Sequence, residues 1–258
     1  DLHKTFRSHW VYRQIHAVKG VSLEIKAGES FGFLGANGAG KTSTIKTILG
    51  LIRKTKGKIY FQGKELKSAA QHSDIGYLAE HPYFYEHLSV FETLDFYASL
   101  YSIKNPERKK KVLETLELVG LGDRVRTNVR KLSKGLQQRL GFAQAIINNP
   151  KLLLLDEPFS GLDPIGRKEM RDVMHKMQDA GTTLFLSSHI LPDVEDLCDR
   201  VSIMDKGEIK KIFRLNETAE LFGEKYQIIT EDSKEEHEDY KSAAAALEKL
   251  QKDKKRIY

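Results

Sequence analysis

One glycine-rich stretch of the chain has residue types suited to holding phosphate groups. It matches the pattern G-x-x-x-x-G-K-[ST] in full, with the residues Gly35-Ala36-Asn37-Gly38-Ala39-Gly40-Lys41-Thr42. Glycines allow backbone N–H groups to turn inward around phosphate oxygens without steric conflict from a Cβ atom. The lysine in this pattern bridges the β- and γ-phosphates of a nucleotide, and the hydroxyl that follows it ligates magnesium. The stretch therefore predicts a site for a nucleoside triphosphate with Mg²⁺.

The segments on both sides of this loop support the same interpretation. Apolar Phe31–Leu34 predicts a strand that leads in, and Ser43–Leu51 predicts a helix that leads out. The amino end of a helix carries partial positive charge, which favours bound phosphate. We therefore predict contacts with the nucleotide from seven consecutive residues: Asn37, Gly38, Ala39, Gly40, Lys41, Thr42 and Ser43.

Two adjacent carboxylates follow a continuously apolar segment, Leu152–Leu155. Such a segment is typical of a strand covered on both faces, and open α/β sheets bind ligands at the carboxyl ends of their strands. Adjacent residues on a strand point to opposite sides, so we expect different tasks for the two groups. Asp156 is predicted to face magnesium, directly or through water. Glu157 is predicted to reach the water that attacks the γ-phosphate, as general base or as its orienting group.

Around these groups, short apolar runs alternate with helical patterns along the chain, which is typical of a parallel sheet flanked by helices. Strands are predicted at Val21–Ile25, Phe31–Leu34, Lys58–Phe61, Ile75–Leu78, Leu152–Leu155, Thr182–Ser187 and Val201–Met204. Helices are predicted at Val90–Leu100, Pro106–Val119 and Leu136–Asn148. We therefore expect an α/β core into which an all-helical block, residues 82–149, is inserted.

Composition and charge narrow the class of protein without defining a partner. The 258 residues carry a net charge of +6, but the charge is spread along the chain, and its dense runs are typical of solvated helix faces. No apolar run approaches the ~20 residues that span a bilayer. The single cysteine, Cys198, excludes an internal disulfide framework and is expected to be a buried structural thiol. The chain begins at Asp1 and not at Met, which is consistent with a missing or processed N-terminus.

Three further motifs make the chain resemble the ATP-binding cassette (ABC) ATPases from about Leu2 to Lys211. A segment shortly before the acidic strand is similar to the family's signature, usually Leu-Ser-Gly-Gly-Gln: Leu132-Ser133-Lys134-Gly135-Leu136-Gln137-Gln138-Arg139. Ser160–Asp163 is similar to the family's D-loop, and His189 to its switch histidine, which contacts the γ-phosphate. The resemblance implies a P-loop NTPase core of ABC ATPase type, in the α/β class, with an antiparallel β subdomain and the inserted helical subdomain.

The resemblance also implies a dimer in which the ligand is ATP. Two subunits pack head to tail, and Ser133 and Gly135 of each contact the ATP held by the other. Lys134 and Leu136 depart from the usual signature residues, and Glu80 stands where the family has a glutamine. A carboxylate can still coordinate magnesium or the lytic water, so we predict that Glu80 is a metal ligand together with Thr42 and Asp156.

The aromatic side chain that stacks on adenine is open among three residues. Phe6 lies where the family places a Tyr or Phe at a strand end, if residues 7–14 are an insertion. Counting back from Val21 without an insertion points to Tyr12, and Trp10 lies between them. We take Phe6 as the candidate.

The resemblance implies an enzyme that hydrolyses ATP to move a substrate through a membrane permease. Lys134 and Glu80 together resemble the branch of the family that is paired with exporter-type permeases of six-helix design, so the expected direction is export. The permease would hold the chain at the cytoplasmic face of the cell membrane, and we hypothesise that Tyr83, Phe84 and Tyr85 contribute to its docking groove. The second cassette of the implied dimer can be a copy of this chain or a different chain. The alternative is a soluble ABC-type ATPase that works on nucleic acid or ribosomes. Such proteins usually carry two cassettes, coiled coils or zinc modules, so no nucleic acid partner is expected.

The domain organisation predicted from the sequence has two parts. Residues 1–215 form the ABC ATPase domain, and residues 216–258 form a tail, expected to be a small α/β regulatory or dimer-contact element. Within the tail, Tyr226–Thr230 predicts a strand and Ser242–Lys252 predicts a helix. In this branch of the family the carboxyl-terminal region commonly continues beyond a point like Tyr258, so we expect a truncated tail.

Overall fold

A six-stranded β-sheet forms the centre of the structure, a computed structural model that describes residues 1–7, 14–67, 73–215, 226–229 and 234–237. The described strands are β1 (Leu2–Arg7), β2 (Gln14–Val21), β3 (Ser30–Leu34), β4 (Tyr60–Phe61), β5 (Lys64–Glu65), β6 (Ile75–Leu78), β7 (Leu152–Asp156), β8 (Thr183–Ser188), β9 (Arg200–Asp205), β10 (Glu208–Arg214), β11 (Tyr226–Ile229) and β12 (Lys234–His237). The six strands of the large sheet lie side by side in the order β10-β9-β3-β8-β7-β6. Strands β9, β3, β8, β7 and β6 run parallel to their neighbours within that group.

Helices cover this sheet and fill the gap between β6 and β7 in the chain. They are α1 (Lys41–Ile48), α2 (Val90–Leu100), α3 (Glu107–Leu118), α4 (Lys134–Ile146), α5 (Pro164–Asp179) and the short α6 (Pro192–Glu195). Helices α2, α3 and α4 pack on one another, and α4 also packs on β6. The predicted helical insertion is therefore present, and α2 has the predicted bounds.

The hydrophobic core explains why the central strands are almost continuously apolar. Phe31 of β3 and Phe185 of β8 are paired residues, fully buried, and their rings stack 5.9 Å apart with an interplanar angle of 2°. Leu154 on β7 and Ile45 on α1 join the same buried cluster. Strands β3, β7 and β8 have layers on both faces, as parallel strands in α/β proteins generally do.

Small antiparallel sheets lie beside the large one. Strands β1 and β2 pair over their length, with Leu2 opposite Val21, and β4 pairs with β5. A bridge between His3 and Lys56 joins β1 to the segment before β4. These pairs are the antiparallel component that the resemblance implied.

Several predicted bounds are wrong for local physical reasons. No strand spans Val21–Ile25, since β2 ends at Val21; the alternating Leu23 and Ile25 pack on the core without a strand ladder. The predicted strand Lys58–Phe61 is too long, because β4 contains only Tyr60–Phe61. Helix α4 begins at Lys134, two residues before the predicted start, because the Ser133 hydroxyl caps it by accepting from the Leu136 N–H at 3.3 Å.

Helix α5 and strands β2 and β10 are not among the predicted elements. Asp163 caps α5 by accepting a hydrogen bond from the Gly166 N–H at 2.8 Å. Its buried positions, Met170, Val173 and Met174, have helical spacing, but charged residues dominate the rest of the helix and weaken the periodic signal.

The chain divides into two compact units, residues 1–212 and 213–258. In the second unit, β11 pairs antiparallel with β12, which agrees with the strand predicted at Tyr226–Thr230. The helix predicted at Ser242–Lys252 lies outside the described residues. In the part of the chain that the structure describes, no helix combines the length and apolarity that crossing a membrane requires.

Replacing Gly76 by alanine tests how closely α4 lies on β6. A Cβ atom at Gly76 would lie 2.1 Å from the carbonyl oxygen of Ala145 on α4 and 2.8 Å from Leu153 Cδ1. Because backbone blocks the space, we expect Gly76→Ala to lower the free energy of unfolding by about 3 kcal/mol, measured by urea denaturation.

Gly181→Ala is the matched control. Gly181 has a φ of +87° but no atom within 4 Å of its Cβ position, so only backbone strain of about 1 kcal/mol is expected. Equal losses in the two variants would contradict the close packing of α4 on β6.

Candidate functional site

The topology of the sheet brings the predicted site residues to one edge. In the parallel register Leu34 lies opposite Ser188, Asp156 opposite Ser187, and Leu78 opposite Leu155. The four strands β3, β6, β7 and β8 therefore end at the same edge. The segments that follow them carry the phosphate loop, Glu80, Glu157 and His189.

The glycine-rich loop connects β3 to α1 and lies directly against other backbone segments. Gly40 stands before α1 with a φ of +110°, and a Cβ atom there would lie 2.3 Å from the carbonyl oxygen of Ala17. At Gly35 a Cβ atom would lie 2.4 Å from the carbonyl oxygen of Met204. Only glycine fits these two positions, so the loop sequence and its place against β2 and β9 depend on each other.

Asp156, the last residue of β7, is completely buried. Its Oδ1 accepts hydrogen bonds from Ser187 Oγ at 2.6 Å and Thr42 Oγ1 at 3.1 Å. Its Oδ2 is buried and accepts no hydrogen bond from any described residue. Burial raises the pKa of this carboxyl, and the two hydroxyl donors act in the opposite direction. Asp156 thus directs an unpaired oxygen into a poorly solvated place next to Thr42.

Glu157 lies between Lys41 and His189. Its Oε1 lies 3.3 Å from Lys41 Nζ, and its Oε2 lies 2.9 Å from His189 Nδ1. Lys41 is 5% exposed and also donates to the carbonyl oxygen of Gly35 at 2.6 Å. The three predicted catalytic residues, Lys41, Glu157 and His189, therefore form one contiguous chain of contacts.

The different orientations of the two carboxylates come from a turn and not from strand alternation. Strand β7 ends at Asp156, and Glu157 has a φ of +49°, in the left-handed region. Its N–H donates to the carbonyl oxygen of Ser187 at 3.2 Å and to Ser187 Oγ at 3.3 Å. Ser187 thus contacts both acidic residues, and sequence reasoning missed it. The available signal was the pair Ser187-Ser188 at the end of a strand whose centre, Leu184–Leu186, is apolar.

A cleft of about 830 Å³ runs from the phosphate loop to β1 and β2. Among the predicted site residues it is lined by Phe6, Asn37, Gly38, Gly40, Lys41, Thr42, Ser43, Glu80 and Glu157. Ala39, within the loop, is buried, and its N–H donates to the carbonyl oxygen of Ala36 at 3.1 Å. Glu80 is half-exposed and has His81 Nε2 3.9 Å from its carboxylate.

The far end of this cleft is lined by the apolar side chains Phe6 and Ile15 together with Gln14, His16 and Lys19. Phe6 on β1 pairs with Ile15 on β2, and both side chains are exposed, at 38% and 55%. Lys4 Nζ lies 4.6 Å from the centre of the Phe6 ring. The other two candidates for stacking, Trp10 and Tyr12, lie outside the described residues. The cleft therefore offers hydrophobic surface at one end and phosphate-binding groups at the other, which suits a nucleotide.

Ser133 and Gly135 do not line this cleft. They lie at the start of α4, where a Cβ atom at Gly135 would be 2.8 Å from the carbonyl oxygen of Gly161. The signature segment of the chain therefore packs on its own Ser160–Asp163 segment, away from the phosphate loop.

The oxygen atoms of Thr42 and Asp156 fit a magnesium ion. The described residues contain no group of three or more His, Cys, Asp or Glu side chains that could hold a metal. Magnesium commonly takes one or two protein oxygens and completes its shell with phosphates and water. The unpaired Oδ2 of Asp156 beside the Thr42 hydroxyl is a donor set of that kind.

Comparison with known proteins gives one family throughout. The model of the ABC transporter family matches residues 18–160. An uncharacterised ABC transporter ATP-binding protein of Nostoc sp. is 44% identical over 212 residues, which cover 81% of this chain and 63% of the relative. The bacitracin transport ATP-binding protein BcrA of Bacillus licheniformis is 41% identical over 202 residues, 77% of this chain and 65% of the relative. The chain thus spans less than two thirds of the length of these two relatives.

A solved structure gives the same fold. A dimeric ATP-binding cassette in a post-hydrolysis state with ADP and phosphate bound has a TM-score of 0.77 and 25% identity. The match covers 83% of this chain and 96% of the cassette. The α/β architecture with its helical insertion is therefore that of a P-loop ABC cassette.

Asp156→Asn tests whether the buried carboxylate is held at a cost to stability. Asparagine keeps an acceptor for Thr42 and Ser187 and removes a charge that burial disfavours. With a metal chelator and no nucleotide, we expect the variant to raise the free energy of unfolding by ~0.5–2 kcal/mol. Addition of MgATP is expected to stabilise the native protein but not the variant.

Asp163→Asn serves as the control, because asparagine and aspartate are equivalent at a helix N-cap. We expect its stability to be unchanged. A loss of stability in Asp156→Asn under the same conditions would contradict the expectation that the charge of Asp156 is held at a cost.

Proposed function

Since the chain belongs to the ABC transporter family of ATP-binding proteins, we propose that it is the ATP-binding and ATP-hydrolysing subunit of a membrane transporter. The proposed reaction is ATP + H₂O → ADP + phosphate, coupled to movement of a substrate through a permease. Export is the proposed direction, from the resemblance described above. The proposal is supported by the relatives named for ABC transport, of which one is named for bacitracin transport.

The observation that carries the proposal is the contact chain Lys41–Glu157–His189 beside the Thr42–Asp156 pair. Phosphoryl transfer needs cationic groups near the γ-phosphate, oxygen ligands for a metal, and a group that orients or deprotonates water. All of these residue types converge at one edge of the sheet. A protein that only binds nucleotide has no need for Glu157 in this place.

In the proposed mechanism, Glu157 accepts the proton of the water that attacks the γ-phosphate, or orients that water. His189, half-exposed and in contact with Glu157 Oε2, holds the carboxylate and contacts the γ-phosphate. Lys41 turns from its carbonyl contacts to the β- and γ-phosphates, where its charge stabilises the transition state. The glycine-rich loop donates backbone N–H groups to the same phosphates.

Magnesium is the proposed metal, held by Thr42 and Asp156 with Glu80 as a further ligand at the rim of the cleft. When bound, the ion neutralises charge on the phosphate oxygens during transfer. Thr42 and Asp156 fix its place relative to the loop, because Ser187 and the strand ladder hold Asp156 rigidly. Phe6 is proposed to stack on adenine at the opposite end of the cleft.

A second cassette is the first proposed partner. The solved cassette of the same fold is dimeric, and Ser133 and Gly135 lie outside the cleft of their own chain. We therefore propose that they contact ATP held by the partner, whether identical or different. ATP then belongs to the interface, so that binding closes the dimer and hydrolysis opens it.

A permease is the second proposed partner, and it would place the chain at the cytoplasmic face of the cell membrane. Tyr83 and Tyr85 are 85% and 55% exposed, while Phe84 is buried and packs edge-on against Tyr97 at 6.2 Å. Phe84 therefore belongs to the local core, and its predicted place in a docking groove is wrong. Tyr83 and Tyr85 stay candidates, with exposed Phe96 in edge contact with Tyr85. No observation favours a role on nucleic acid or ribosomes.

Glu157→Gln tests the catalytic assignment. Glutamine keeps the size of the side chain but cannot accept a proton from water at neutral pH, so we expect magnesium-dependent hydrolysis to fall about 10²- to 10⁴-fold. ATP binding should persist, and the variant should accumulate as an ATP-bound dimer in size-exclusion chromatography with light scattering.

Glu208→Gln is the control, because Glu208 is an exposed carboxylate that pairs with Lys210 on β10. It is expected to hydrolyse ATP at the native rate. Native activity in Glu157→Gln would refute the assigned role, and lack of activity in the native protein reconstituted with its permease would refute the proposed function.

The double variant Tyr83→Ala with Tyr85→Ala tests the docking surface. Both side chains are exposed, so we expect the free energy of unfolding to stay within about 0.5 kcal/mol and the ATPase rate of the isolated chain to be unchanged. Transport in reconstituted vesicles should fall at least tenfold. Tyr60→Ala, 60% exposed on β4, is the matched control and should transport normally. Normal transport by the double variant would exclude this surface.

A further inference from the structure

A buried glutamine connects α4 to the turn that carries Glu157. Gln138 is 1% exposed. Its Nε2 donates to the carbonyl oxygen of Glu157 at 3.3 Å and to the carbonyl oxygen of Pro158 at 3.2 Å. The two N–H bonds of one amide group thus bind two successive carbonyl groups, so the side chain holds both the position and the orientation of that turn.

The turn has a conformation that needs support. Glu157 is a non-glycine residue with a φ of +49°, which L residues rarely adopt. On its amino side the N–H of Glu157 is held by Ser187. On its carbonyl side, Gln138 supplies the donors that buried carbonyl groups require. Between these two supports the side chain of Glu157 reaches Lys41 and His189.

We propose that Gln138 is a positioning residue for Glu157, which ties the direction of the water-activating carboxylate to helix α4. This inference rests on the proposed function, since it assumes that Glu157 acts on the lytic water. Gln138 itself does not line the cleft, and both hydrogen bonds that its Nε2 donates go to backbone carbonyl oxygens. It acts through the backbone of residues 157 and 158 alone.

The same helix carries the segment proposed to meet the partner's ATP. Helix α4 begins directly after Ser133, and Gly135 lies against the carbonyl oxygen of Gly161. A displacement of the start of α4 would therefore be transmitted to Glu157 through Gln138, which lies four residues further along the same helix. Gln138 thus links the signature segment to the catalytic carboxylate of its own chain.

The first test is Gln138→Met, which keeps the length of the side chain and removes both donors. Because about 1 Å of misplacement at a catalytic group can cost 10²-fold, we expect kcat for ATP hydrolysis to fall about 10- to 100-fold. The KM for MgATP should stay within about twofold, since the phosphate loop is untouched. A rise in KM with kcat unchanged would overturn the proposal.

The second test combines this change with Glu157→Gln. If Gln138 acts only through Glu157, adding Gln138→Met to Glu157→Gln should leave the residual single-turnover rate within about twofold. A product of the two separate effects would mean that Gln138 acts by another route and would overturn the proposal. Comparison of the two single variants separates the positioning role of Gln138 from the proposed function. If Glu157→Gln is inactive while Gln138→Met is native-like, only the positioning role fails.

Gln178→Met is the matched control for loss of a structural amide. Gln178 Nε2 donates to the carbonyl oxygen of Leu197 at 2.6 Å and to Ser30 Oγ, remote from the cleft. We expect a comparable loss of thermal stability but native kcat. A fall in kcat as large as that of Gln138→Met would assign the effect to general destabilisation.

A measurement on the native protein covers the case in which Gln138→Met does not fold. The side-chain amide protons of Gln138 are buried and both bonded, so in NMR we expect them to exchange with solvent at least 10²-fold more slowly than those of exposed glutamines. Exchange at the rate of an exposed glutamine would show that these hydrogen bonds do not persist and would overturn the proposal.

Discussion

Two ionisable carboxylates at adjacent positions, both nearly removed from water, are the constraint around which the rest of the structure is arranged. Buried negative charge is tolerated only when donors or cations surround it. Thr42 and Ser187 supply hydroxyl donors to Asp156, and Lys41 and His189 face Glu157. These donors come from helix α1 and from the end of strand β8. The strand order that places β3 and β7 on either side of β8 is therefore what makes the site possible.

Close backbone approach is the second requirement, and glycine provides it. Gly35 and Gly40 let the phosphate loop lie against β9 and β2, and Gly76 lets α4 lie on β6. Through α4, the position of β6 also affects the turn at Glu157, because Gln138 extends from the same helix. The phosphate loop and the acidic turn are thus fixed by separate parts of the fold that meet at one edge of the sheet.

The sequence predicts those parts of the site that depend on local patterns. The loop from Gly35 to Thr42 and the acidic end of β7 are continuous in sequence, so their chemistry is readable without the fold. The roles of Ser187 and Gln138 are different, because they depend on contacts between distant parts of the chain. Ser187 contacts Asp156, 31 positions away, and Gln138 contacts Glu157, 19 positions away. In the same way, the alternation at Val21–Ile25 reflects core packing, which a pattern cannot distinguish from a strand. Helix α5 escapes prediction because its apolar positions are few.

The placement of the signature segment gives a physical reason why the proposed ATPase would work as a dimer. A single chain presents its phosphate loop, Glu80 and Glu157 in one cleft, while Ser133 and Gly135 do not line that cleft and Gly135 lies against Gly161. A hydroxyl and a helix amino end are useful to a γ-phosphate only when they reach it. In a head-to-tail pair, each cleft would be completed by the other chain, and ATP would be held between the two. In that arrangement, the proposed link from α4 to Glu157 through Gln138 would make the carboxylate of Glu157 in each chain responsive to the nucleotide bound by its partner.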